Sequence, residues 1–318
     1  MIRIFTSCLL LFAIVGCTTS PIQRHTRDGL YGTAQTDTLL VRYAPIIAPQ
    51  QNAATHNRIG RVAAKYNNEG EEEVFIDTRQ IATFYTQSTT FKTNSGQYRN
   101  LIYRFHFPYV PQLNLTAGKN GGLFVIITLN QEQQPLLITT VHTCGCYLAI
   151  VPTSYLQADA FPEQWNHEQQ WIYGETLPGL LTYPTKFNSA WRPLIYLRSD
   201  THRVMHIEQV NIDQLNTLFQ PTEFVPIEQL HQLPLGDGVT SFYYQSGWQK
   251  GYVKNSIKMW ERLWMSWWTL DLRIGSDKQL GDPAETGTVF YTSLIPWYRD
   301  ESNLWYFERF LKFWGWRL

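Results

Sequence analysis

The pattern of apolar and polar positions changes character twice along the chain. Residues 18–60 are polar and turn-rich, with Gln50-Gln51-Asn52 among them, and apolar side chains gather only over 39–47. Beyond that the period becomes two. Val74-Phe75-Ile76 begins the change, and residues 81–91 follow, rich in Thr and aromatics. Over 101–107, Leu101, Tyr103, Phe105 and Phe107 fall on one face and Ile102, Arg104 and His106 on the other, so this segment predicts a strand. Residues 123–129 are almost continuously apolar, which predicts a strand covered on both sides. A polar turn over 130–135 leads into a returning strand over 136–142, with 147–151 continuing it past Cys144-Gly145-Cys146. Residues 155–192 read as loop-rich. Residues 194–197 and 203–207 predict a further strand pair.

Near the end the period becomes that of a helix. Ile257, Trp260, Leu263, Trp264, Trp267 and Trp268 recur at helical spacing, and so do Leu304, Phe307, Leu311 and Trp314. Lys254, Lys258, Glu261 and Arg262 sit among the first set. Two amphipathic helices are expected, joined by an irregular loop that contains Gly281-Asp282-Pro283. The Trp stripe of the first reads most simply as core; an interfacial face on a membrane and a stacking platform for glycan rings are its functional alternatives. The fold class expected is α+β: a mainly antiparallel β-sheet core with aromatic-rich C-terminal helices packed on it, in a single domain over 61–318.

The amino terminus carries a different signal. Met1-Ile2-Arg3 is basic, residues 4–15 are apolar apart from Thr6 and Ser7, and Ile14-Val15-Gly16-Cys17 closes the run. Such a run is shorter than the ~18–20 residues that span a bilayer and has the layout of a secretory leader. The closing box resembles that of a bacterial lipoprotein signal peptide, the type cut by signal peptidase II. The resemblance implies a signal peptide over 1–16, cleavage before Cys17, lipidation of its thiol and acylation, as with palmitate, of the new amino terminus. Two lipid signals already anchor a protein stably, so three chains should hold it firmly. Thr18 is not the Asp that retains such proteins at the inner membrane, so the resemblance implies the outer membrane, facing the periplasm. Residues 17–60 would form the lipidated terminus and its tether. Residues 100–108, 142–147 and 310–316 also look like those of an uncharacterised family of proteobacterial lipoproteins, which brings no activity and transfers a role only to Cys17.

Charge narrows the class further. The chain has 26 basic and 26 acidic residues and only 16% charged positions. A balanced chain with no basic stripe carries no electrostatic footprint for nucleic acid and no polybasic patch for anionic lipid. Aromatics reach 15%, and all twelve Trp follow residue 164, which provides for a large core. The class this favours is a binding or structural protein of the cell envelope, bound to the membrane through its lipid, with an envelope protein or a glycan as candidate partner.

Chemistry concentrates in one cluster. Of four cysteines, Cys8 lies in the leader and Cys17 carries the lipid, which leaves Cys144 and Cys146. On an extended strand His142, Cys144 and Cys146 would share one face, neighbours roughly 6.5–7 Å apart, and Gly145 would permit a bend. Imidazole and thiolate suit Zn, and paired thiolates suit Cu(I), with His106 or His202 as outside ligands. A Cys144–Cys146 disulfide, inert buried thiols, and a nucleophilic thiol activated by His142 are the competing readings. A metal- or thiol-dependent envelope enzyme centred on this cluster is therefore the alternative function. His202 and His206 are four apart in a β-like segment, which would separate them. Asp271, Asp277, Asp282 and Glu285 crowd one loop and read as turn formers more readily than as an acid–base pair.

Overall fold

A computed structural model describes residues 29–215 and 218–318. The expected leader, with Cys8, and the expected lipidation site Cys17 lie outside the described residues. Strands make up 37% and helices 16% of the described residues, an α+β composition dominated by sheet.

The main sheet has six strands. From one edge to the other they are Ala149–Pro152, Pro135–His142, Gly122–Leu129, Gln97–His106, Ala82–Lys92 and Thr222–Pro226. All neighbours are antiparallel except the last pair, where Thr222–Pro226 runs parallel to Ala82–Lys92. Period-two residues make these strands for the reason expected. Leu101, Tyr103 and Phe105 of the central strand bury with Leu123, Val125 and Ile127 of its neighbour in one cluster, whereas Ile102, Phe124 and Ile126 belong to a second on the opposite face. Every residue of Gly122–Leu129 is buried, as its unbroken apolar run requires.

The first cluster is closed by a three-stranded sheet in which Ile46–Pro49 runs parallel to Trp191–Leu197, and the latter pairs antiparallel with Val204–Asn211. Residues 30–59, expected as tether, therefore belong to the body: Tyr31, Tyr43, Ile46 and Ile47 are all buried. They do so by adding a strand to a sheet edge, a long-range pairing that leaves no local period. One turn of helix, α1 (Leu39–Arg42), precedes that strand.

The carboxy-terminal helices are shorter than their periodic patterns, and they differ. The first, α2, is Met259–Thr269; a one-turn helix, α3, is Pro283–Thr286; the last, α4, is Phe307–Phe313. Helix α4 turns Phe307, Phe310 and Leu311 into the second cluster, against the sheet face that holds Ile102 and Phe124. Helix α2 is the reverse. Trp260, Trp264, Trp267 and Trp268 are between 42% and 74% exposed, while Glu261 and Thr269 are buried. The expectation that the Trp stripe forms core is corrected here. Its polar stripe is the one turned inward, because that side meets a buried cluster of charge.

Candidate functional site

The strand Pro135–His142 ends at His142, and the cysteines occupy the hairpin turn that follows. Gly145 N–H donates to the His142 carbonyl at 2.7 Å and His142 N–H to the Cys146 carbonyl at 2.9 Å, closing a three-residue loop. Gly145 has φ +92°, and an added Cβ would stand 2.2 Å from the Tyr291 carbonyl oxygen, so only glycine fits. His142, Cys144 and Cys146 therefore do not share a strand face. The turn instead sets the two thiols side by side, free and hydrogen-bonded to each other.

Buried charge surrounds this turn. The Thr143 hydroxyl donates to Asp277 Oδ1, and Lys278 N–H donates to the Thr143 carbonyl at 2.8 Å. Lys278 Nζ donates to the Cys144 carbonyl at 2.5 Å and sits 4.2 Å from the centre of the Tyr291 ring. Lys258, just before α2, lies 3.5 Å from Asp277 Oδ1 in a pair almost closed to solvent. Glu261 adds a second carboxylate, and Gly275 leaves the room it needs, since a Cβ there would meet Glu261 Oε2 at 2.2 Å. Asp277 Oδ2, Glu261 Oε2 and Arg104 Nη2 are buried without a hydrogen-bond partner among the described residues. Orphaned groups of this kind cost about 1–3 kcal/mol each, more when charged.

The electrostatics follow from that burial. Desolvation raises the Cys144 thiol, but the hydrogen bond from Cys146 and the charge of Lys258 outweigh it, so its pKa lies below the ordinary value. Cys146 is pushed well above its ordinary value, first by that same hydrogen bond and then by burial. Burial alone would discharge Lys258, yet Asp277, Cys144 and Glu261 hold it well above the usual lysine range. Burial raises Glu261, with Lys258 partly offsetting it.

The histidines expected as ligands are hydrogen-bonded within the core. His106 accepts from Arg104 Nε at 2.8 Å and donates through Nδ1 to the Asn120 carbonyl at 3.1 Å, which leaves no lone pair for a metal. His202 donates through Nε2 to the His56 carbonyl at 2.9 Å and stacks on Phe107 at 3.9 Å. His142 donates through Nε2 to the His202 carbonyl at 3.1 Å. Among the described residues no three His, Cys, Asp or Glu side chains are gathered to hold a metal ion. The composite Zn or Cu site of His142, Cys144, Cys146, His106 and His202 is thus not assembled among the described residues: His106 has both ring nitrogens engaged, and backbone carbonyls orient the His142 and His202 rings within the core rather than toward the thiols. His206 lies on the strand Val204–Asn211, whereas His202 precedes it at φ +56°.

The acidic loop disperses as well. Asp271 accepts from the Tyr291 hydroxyl at 2.5 Å, Asp282 caps α3 by accepting from Ala284 N–H at 2.9 Å, Asp277 is buried and Glu285 is exposed.

Tyr291 connects the thiol turn to an open cleft of about 780 Å³. Trp248 and Trp297, both well exposed, line it together with Tyr252, Arg262, Asp271, Arg273, Arg299 and Asp300. Arg273 lies over Tyr252 at 4.6 Å and donates to the Trp248 carbonyl; Arg299 lies over Tyr291 at 4.8 Å and donates to the Thr269 carbonyl. These contacts fix the planes of two guanidinium groups. Neither the cleft nor the partners of the thiol turn was evident from the sequence. Lys258 and Glu261, three apart among the helical apolar positions, were the available signal. Comparison with protein-family models, with curated proteins and with solved structures returns no match.

Proposed function

We propose that the chain is a lipid-anchored protein of the outer membrane, facing the periplasm, that binds an acidic sugar ligand in the cleft between Trp248 and Trp297. The cleft is the observation that supports this reading. Flat aromatic faces suit the C–H faces of sugar rings, and planar guanidinium and carboxylate groups pair with hydroxyls and acids in two-pronged fashion. Arg262, Arg273 and Arg299 stand against Asp271 and Asp300, so three positive charges meet two negative ones and the excess favours an acid. The anchor rests on the resemblance of the leader, and the ligand site is built by residues 248–300, which follow the strands of the main sheet in sequence.

Titration of the full chain with a uronic-acid oligosaccharide and with its neutral counterpart, followed by Trp fluorescence, tests this. The acidic sugar is expected to bind at least tenfold more tightly, and Trp248→Ala or Arg273→Gln to remove that binding. Equal affinity for the two sugars, or binding that survives both substitutions, would count against it.

A second reading has its own observation. The Lys258 ammonium beside the thiol pair favours thiolate chemistry at Cys144, the thiol-dependent enzyme of the alternative, and the same neighbours could join as a disulfide. Intact-mass alkylation with and without prior reduction separates the states: two labels without reduction favour the thiol reading, and two only after it favour the disulfide.

A further inference from the structure

We infer that the outward face of α2 docks on a lipid bilayer, lying in the headgroup and upper acyl region. The inference starts from an inversion. On an ordinary surface helix the apolar stripe faces the core, but here the inward positions are Glu261, Met265 and Thr269 and the outward ones are Met259, Trp260, Leu263, Trp264, Trp267 and Trp268. Arg262, half-buried at the flank of the helix, is the charge that borders these outward positions. From their 42–74% exposures, the four Trp leave on the order of 350–550 Å² open. That alone matches the roughly 300–600 Å² of the largest patch on a typical monomer. Leu270 and Leu272 extend it beyond the helix end.

Three observations select lipid as the occupant. Trp is the side chain most favoured where hydrocarbon meets headgroups, since its ring is apolar and its N–H is polar. Arg262, Arg273 and Arg299 line the cleft that opens beside Leu270 and Leu272 at the helix end, where phosphates can pair with them; Asp300 is an exposed carboxylate there, while Glu261 is turned inward and Asp271 is occupied by Tyr291. The third rests on the anchor proposed above. Only eleven residues lie between Cys17 and Gly29, the first described residue, so the twelve chain steps keep Gly29 within about 40–43 Å of the lipid. A body held so close meets lipid continually. Eleven residues make a helix about 16 Å long, too short to cross, and no helix among the described residues is long and apolar enough to do so. It lies flat.

The test uses the full chain in vesicles of phosphatidylethanolamine and phosphatidylglycerol whose acyl chains carry bromine at a shallow position. Bromine quenches only indoles that enter the bilayer. Quenching is expected with the natural chain and should fall at least twofold in Trp264→Ser/Trp267→Ser. Trp171→Ser, an exposed Trp on the separate hairpin of Gln169–Ile172 and Glu175–Pro178, should leave it unchanged. Absent quenching in the natural chain overturns the inference, as does quenching that the double variant retains. Absent quenching together with a dimer that the double variant abolishes gives the face to a second copy instead. Labelled palmitate is followed in parallel. Incorporation without quenching leaves the anchor standing and removes the docking face; quenching without incorporation does the opposite.

Discussion

His142 and His202 are buried in succession, each donating a proton to a backbone carbonyl. Burial pushes both down to about 3. Their folded pKa values lie below the unfolded value of about 6.5, so the stability they carry is complete above pH 6.5 and drains away as pH falls toward 3. At up to about 1.4 kcal/mol per pH unit for each, the two together cost about 4 kcal/mol by pH 5. Urea unfolding at pH 7.5 and pH 5.0 should show a loss of that order, reduced in His142→Gln; equal unfolding free energies at the two pH values would refute the assignment. Lys258 carries a second prediction at this scale. Replacing it with Met leaves Asp277 buried without its cation, at a cost of about 3–5 kcal/mol. It should also move the onset of Cys144 alkylation to higher pH, and an unshifted profile would detach Lys258 from the thiol. The motif His142-Thr143-Cys144-Gly145-Cys146 was legible as a pointed cluster, and Gly145 as a bend. Strand spacing, however, could not reveal that the bend is the hairpin turn itself. Nor could it reveal that Lys258, Glu261, Asp277 and Lys278 converge on it, since their contacts span more than 100 residues.

The two helices at the carboxy-terminal end read alike in sequence and are opposite in the structure. Period 3.6 reports that a helix has an apolar and a polar side, but not which side the rest of the protein covers. In α4 Phe310 is wholly buried against the sheet, so Phe310→Ala should cost about 3–5 kcal/mol. In α2 Trp267 is 74% exposed, so Trp267→Ser should change stability by no more than about 0.5 kcal/mol. Thermal or urea unfolding of the two variants decides between core and surface, and a cost above about 2 kcal/mol for Trp267→Ser would restore the core assignment. The strands were more legible, because both faces of the sheet are buried and a misplaced residue there has no outlet. Residues 97–106 and 122–129 follow their apolar pattern closely. The strand Ile46–Pro49 was hidden, as it owes its place to Trp191–Leu197, more than 140 residues away.

One sheet supports both cores, which gives the whole molecule a testable cooperativity. The same strands send Leu101, Tyr103, Leu123 and Val125 to the first cluster and Ile102, Phe124 and Ile126 to the second, so neither core can lose its sheet without exposing the other. The first cluster also draws on residues 31–59, and the second on residues 280–318, so the two ends of the described body meet through the sheet. A chain of this length exceeds the size at which a single transition is the default, and that makes the expectation informative. Trp165, Trp305 and Trp316 pack on the second cluster and Trp191 on the first, so the emission of the buried tryptophans is weighted to the second, while far-UV circular dichroism follows the strands that serve both. The two signals should trace one transition in urea, with midpoints that agree. If tryptophan emission shifts at a lower urea concentration than the strands melt, the second cluster and α4 form a separable layer on a sheet that stands without them. The thiol turn would then be held open or closed by that layer, since Gly145 packs on the Tyr291 backbone and Phe290 belongs to the second cluster.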